Sequence, residues 1–90
     1  MKDLRKKETL FKALANYRRL KILKILLEEK KLPVSEIARN INLSFKSTSK
    51  HLSVLEKAGL LSKSQKSLWV FYSIDKDKET LVKRLLDLGV

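Results

Sequence analysis

The sequence predicts a mainly α domain with one small β-hairpin, its elements ordered α-α-α-α-β-β-α. Three observations predict it. Apolar residues recur at helical spacing as far as Gly59; the spacing then switches to strand-like alternation between Leu60 and Ile74; helical spacing returns to the C-terminus. Ninety residues hold one domain, spanning 1–90, with one modest core.

Leu10, Phe11, Leu14 and Ala15 form the first apolar stripe, and Asn16 breaks it as the N-cap of a second helix. That helix carries Leu20, Ile22, Leu23, Ile25, Leu26 and Leu27, dense enough to be the central core helix, with Arg18, Arg19, Lys21 and Lys24 on its wet side. It ends near Glu29-Lys30-Lys31, since Pro33 cannot continue it. Val34, Ile37, Ala38 and Ile41 sit at i, i+3, i+4 and i+7 and make a short third helix, which the Asn40–Leu43 stretch closes through the tolerance of Asn for the left-handed conformation. Ser44 caps a fourth helix, whose Thr48, Leu52 and Leu55 face inward and whose end is set by Gly59. Two short helices joined by a tight turn form a helix-turn-helix. Leu60–Lys63 and Leu68–Ile74 follow as strands around a polar tip, Ser64-Gln65-Lys66-Ser67. A last helix begins at Asp75-Lys76-Asp77 and carries Leu81, Val82, Leu85, Leu86 and Leu88. The whole is a winged helix-turn-helix.

The run SFKSTSKHL, residues 44–52, is unusual for a solvated helix. Serine competes for backbone hydrogen bonds and seldom crowds an ordinary helix face. With Thr48, Leu52 and Leu55 inward, Ser44, Phe45, Lys46, Ser47, Ser49, Lys50, His51 and Ser53 lie outward or at the margins. Short hydroxyls allow close approach to a major groove and hydrogen-bond to phosphates or base edges, and lysines add phosphate or guanine contacts. Phe45 either meets a thymine methyl or staples onto the preceding helix. His51, the single histidine, either touches phosphate or base, or packs and caps; nothing nearby equips it for catalysis.

The formal net charge of +11 and pI near 10.1 suit a polyanionic partner, double-stranded DNA above all. A Lys-rich solubility bias is the plainer reading of the same charge. Cysteine is absent, which removes disulfides and thiolate metal ligands. The longest apolar runs are a few residues, far short of the ~20 that span a bilayer, so the expected location is cytoplasmic, without membrane contact. No paired carboxylates, nucleophile–base pair or phosphate-cradling glycine loop is present, so no enzyme is expected, and no cofactor.

LFKALANYRRLKILKIL, SEIARNINLSFKSTSKHLSVLEKAGLL and SLWVFYSI together resemble the ArsR/SmtB family of bacterial and archaeal transcriptional regulators over about residues 9 to 75. The most specific part is Ser49-Lys50-His51-Leu52 with Leu55, Ala58, Gly59 and Leu60. The resemblance implies a homodimer, with recognition helices in adjacent major grooves, the hairpin as a wing, and terminal helices as the dimer face. Leu10, Phe11, Leu81, Val82, Leu85, Leu86 and Leu88 are the residues expected there. Lys63 and Lys66 are expected on phosphates.

The metal-sensing residues of that family are missing. Pro33 and Ser35 stand where thiols would be, and the last helix offers Asp75, Asp77 and Glu79 without a histidine, so no metal site is expected. In the wing, Ser67 replaces a usual tip glycine and Leu68 a common basic residue. Trp69 and Phe71 share one strand face, and either the last helix or the N-terminal segment covers them or they form a partner surface. Lys2, Arg5, Lys6 and Lys7 read as a solvated face or arm. The expected function is sequence-specific DNA binding by a dimeric repressor, the alternative being non-specific, chromatin-like binding or protein–protein assembly.

Overall fold

Local capping chemistry punctuates the chain. The computed structural model describes residues 4–89; Lys2 of the basic N-terminal run lies outside them. Helix α1 (Leu4–Leu14) gives way at Asn16, whose side chain accepts from the Arg19 N–H and starts α2 (Tyr17–Glu29). Helix α3 (Val34–Ile41) closes on Asn42 in the left-handed conformation, φ 55° and ψ 52°. The Ser44 hydroxyl accepts from the Ser47 N–H at 3.1 Å and opens α4 (Phe45–Lys57), which ends at Gly59 with φ 80°. Only a residue without a Cβ adopts that last conformation freely.

A strand absent from the sequence expectation, β1 (Lys31–Pro33), lies between α2 and α3. It pairs antiparallel with β3 (Trp69–Ile74), setting Lys31 opposite Ser73, Leu32 opposite Tyr72 and Pro33 opposite Phe71. The element order is therefore α-α-β-α-α-β-β-α, and the sheet runs β1-β3-β2. Three residues are too few to show a period, and the segment becomes a strand because β3 offers it an edge. Proline is tolerated on such an edge, where no partner needs its missing N–H.

The hairpin also differs from expectation. Strand β2 (Leu61–Lys66) continues through the residues read as its tip, pairing Lys66 with Trp69, so the turn is only Ser67-Leu68. Ser67 has φ 57°, where glycine would be unstrained. Leu68 is 93% exposed at the turn and begins no strand. Cover for Phe71 comes from β1, since Pro33 lies opposite and the Lys31 ammonium is 5.6 Å from the ring centroid; Trp69 stays 57% exposed. After β3 the Asp75 side chain accepts from the Asp77 N–H and caps a single 3-10 turn (Lys76–Lys78), which leads into α5 (Glu79–Leu86). The last helix thus starts later than Asp75.

The core gathers Ile22, Leu23 and Leu26 of α2, Ile37 and Ile41 of α3, and Leu52 and Leu55 of α4. Leu60, Leu61, Tyr72, Ile74 and Val82 close it. Thr48 is fully buried with them, and its hydroxyl has no hydrogen-bond partner among the described residues. An unpaired buried hydroxyl is destabilising by about 1–3 kcal/mol, so Thr48→Val is expected to stabilise the fold by roughly 1 kcal/mol. A urea titration checks this, and a loss of stability would show that the hydroxyl is satisfied in solution.

Candidate nucleic-acid interface

The turn between α3 and α4 fixes how the recognition helix sits. Leu43 N–H donates to the Ala38 carbonyl at 3.0 Å, Asn42 N–H to the Arg39 carbonyl at 3.2 Å, and Thr48 N–H to the Ser44 carbonyl at 2.9 Å. With Thr48, Leu52 and Leu55 all at 0% exposure, the 100° step of a helix fixes every other residue of α4 relative to that inner stripe. Lys46, Lys50, Ser53 and Lys57 point most directly away. Ser47 and His51 lie on one margin, Ser49 on the other.

Burial follows that geometry. Ser44, Phe45, Lys46 and Lys50 are exposed, whereas Ser47, Ser49, His51 and Ser53 are half-buried. Phe45 is 60% exposed, leaving most of its ring open to solvent. The single acid between residues 37 and 74 is Glu56, and it pairs with Lys63 at 3.8 Å. Lys63 is thereby tied to the base of α4, while Lys66 stands exposed near the hairpin tip. The face formed by α4 and β2 is therefore positive and rich in hydroxyls along its length.

His51 is held by Arg19, a residue whose sequence position places it on the wet side of α2. Arg19 Nη1 lies 3.2 Å from His51 Nδ1, across 32 positions of sequence. Burial, then Arg19, then Arg18 lower the His51 pKa from its ordinary value near 6.5. The consequence for stability has a definite sign. The unfolded chain takes up the imidazole proton first as pH falls below about 6.5, so stability is lost as pH drops from there toward the lower folded value. Wild type is expected to lose more stability than His51→Gln over that window, read as the shift in urea midpoint. Equal shifts would contradict the depressed pKa.

The residues expected at a dimer face divide. Val82 is 1% exposed and belongs to the chain's own core, which corrects its placement on an outer face. Leu10 and Leu86 are partly buried against that core as well. The physical reason is that Leu81, Val82, Leu85 and Leu86 occupy four of the eight positions of α5 and cover more than one side of a short helix, so one edge must turn inward; Leu88, expected on the helix, lies just past its end. Phe11, 60% exposed, Leu81, half-buried Leu85 and Leu88 remain outward. Leu4, not anticipated, lines with Lys7, Glu8, Phe11, Lys12 and Ala15 a shallow groove of about 480 Å³ along α1.

Among the described residues no three His, Asp or Glu side chains converge to hold a metal ion, and no helix is long and apolar enough to cross a membrane.

Known proteins with this arrangement share its sequence pattern. The family of arsR bacterial regulatory proteins matches residues 16–63. The transcriptional activator HlyU of Vibrio cholerae is 37% identical over 87 residues, covering 97% of this chain and 77% of that one. The arsenical resistance operon repressor of Bacillus subtilis is 33% identical over 75 residues, covering 83% and 71%. A homodimeric winged helix-turn-helix DNA-binding domain from Mycobacterium bovis superposes with a TM-score of 0.86 at 28% identity, covering 92% of this chain and 77% of that one. On this combined likeness of sequence and fold, the chain belongs to the ArsR family of transcriptional regulators.

Proposed function

We propose that this regulator is a homodimeric repressor that binds double-stranded DNA sequence-specifically in the cytoplasm, with α4 of each subunit in a major groove and the β2–β3 hairpin as a wing on the flanking backbone. One observation carries the reading. The outer face of α4 presents serines and lysines without an acid before Glu56, directly opposite a fully buried stripe. Such a face suits base edges and phosphates, and suits an acidic or apolar protein surface less well. The homodimeric, DNA-binding character of the Mycobacterium bovis domain supports it, as does the repressor role of the Bacillus subtilis relative. Repression follows from occupying a promoter and requires no chemistry, so neither an enzymatic step nor a cofactor enters the proposal.

Lys50 and Ser49 lie on the middle turns of α4, where side chains reach base edges. Lys66 near the hairpin tip reaches only phosphates. Replacing Lys50 or Ser49 with Ala is expected to weaken the preferred site by about 1–3 kcal/mol per subunit and to blur its sequence. Lys66→Ala is expected to weaken all sequences alike and to lower the salt slope of log K by about 1 for each phosphate left without its lysine. Binding isotherms on specific and scrambled duplexes at several salt concentrations read both. Identical, sequence-independent losses for Lys50→Ala and Lys66→Ala would leave α4 as a bare electrostatic grip and favour non-specific binding.

A further inference from the structure

Arg19 leaves the first turn of α2 and reaches two other helices at once. Its Nε donates to the Ala13 carbonyl at 2.7 Å and its Nη2 to the Lys12 carbonyl at 3.1 Å. Both carbonyls belong to the last turn of α1, where helical carbonyls have no intrahelical donor. The remaining fork nitrogen, Nη1, lies 3.2 Å from Nδ1 of His51 on the recognition helix. A guanidinium only donates. Nδ1 must therefore offer its lone pair, and the proton of the neutral ring sits on Nε2, on the side of the ring away from Nδ1. Burial, then Arg19, then Arg18 lower the ring's pKa and so favour its neutral form.

His51 adjoins Lys50 on the margin of the face assigned to DNA. We propose that Arg19 is a positioning residue for DNA binding: it ties the end of α1 to the recognition helix and fixes His51 as the Nε2–H tautomer, which presents a directed donor to a DNA phosphate oxygen. This rests on the reading of α4 as the DNA-contacting helix. A neutral donor adds direction without releasing a counterion, so its loss weakens binding and leaves the salt slope unchanged. Because α1 also carries the Leu4–Phe11 face, the same fork makes the recognition helix sensitive to how α1 is held.

Two measurements test the brace. Imidazole ¹⁵N spectra of the wild-type protein at neutral pH are expected to show Nδ1 unprotonated and Nε2 protonated; the reverse assignment overturns the proposal. Affinity is then read on a duplex enriched by the wild-type protein, or on a mixed-sequence duplex if none is enriched. Arg19→Lys keeps the charge but cannot fill three acceptors from one planar fork. It is expected to bind about tenfold more weakly with the salt slope and dimer intact. His51→Gln can place an amide N–H near the Nε2 position and is expected within about threefold of wild type, whereas His51→Phe loses about tenfold. If Arg19 acts through His51, Arg19→Lys adds nothing to His51→Phe. Additive losses, or Arg19→Lys binding like wild type, sink the brace while leaving DNA recognition by α4 standing. Absence of duplex binding by the wild-type protein removes the phosphate role together with the proposed function, and the ring tautomer still reports separately on the brace.

Discussion

Leu52→Ala is expected to lower stability by about 3 kcal/mol, the middle of the range for truncating a fully buried leucine. Leu52 is fully buried among the core residues and sits on the recognition helix itself. The loss combines the transfer of the missing methyl groups with the cavity they leave, since neighbours on α2, α3 and β2 are pinned by their own contacts. For a domain of this size that corresponds to a fall in Tm of roughly 12–24 °C. A domain whose whole stability is about 5–13 kcal/mol would keep only a modest reserve at growth temperature. Leu68→Ala, at the hairpin turn, is the matched control and should change stability by less than about 0.5 kcal/mol. Thermal and urea unfolding of both variants decide the point. A Leu52→Ala variant as stable as Leu68→Ala would mean that α4 is not anchored through this stripe.

The second large effect concerns assembly. Phe11→Lys and Leu85→Lys are each expected to convert a dimer into monomers and to reduce affinity for a two-half-site duplex by about 10²–10⁴-fold, because the second half-site is then no longer bound intramolecularly. An ammonium placed in an apolar contact has no counter-charge there and opposes burial strongly. Phe11 is largely exposed within the chain, so its replacement should leave the folded monomer intact; Leu85 is half-buried, and its loss touches folding as well. Sedimentation of wild type and Phe11→Lys, with far-UV circular dichroism as the folding check, separates the two outcomes. Wild type sedimenting as a monomer at tens of micromolar would end the dimer proposal.

What could be read directly from the sequence follows the range of the forces involved. Asn16, Asn42, Ser44 and Gly59 mark helix ends through hydrogen bonds and backbone angles spanning three or four residues, and each occupies the expected cap in the fold. The Thr48-Leu52-Leu55 stripe was legible because a helix buried on one side repeats its apolar positions. Strand β1 was not legible, since its strand character comes from β3, some forty residues further on, and not from Lys31-Leu32-Pro33 itself. The length of β2 was hidden for a different reason. Its residues from Ser62 to Lys66 are exposed on both faces, so no alternation betrays the strand and only pairing with β3 defines it. Val82 could not be told from its neighbours because Leu81, Val82, Leu85 and Leu86 leave the inner edge of α5 ambiguous until α2 packs on it. The Arg19–His51 contact joins side chains too distant in sequence for any local pattern to announce.

Selection of bound duplexes from a random pool is the most direct measurement of the central claim, that α4 of a two-fold symmetric dimer reads base edges. The account predicts enrichment of an inverted repeat whose half-sites lie about one helical turn apart, or a small multiple of it. It further predicts that the enriched bases change when the selection is repeated with Lys50→Ala. A pool that stays unenriched while binding remains strong and salt-sensitive would contradict sequence recognition and leave only a positively charged, non-specific grip on the DNA backbone.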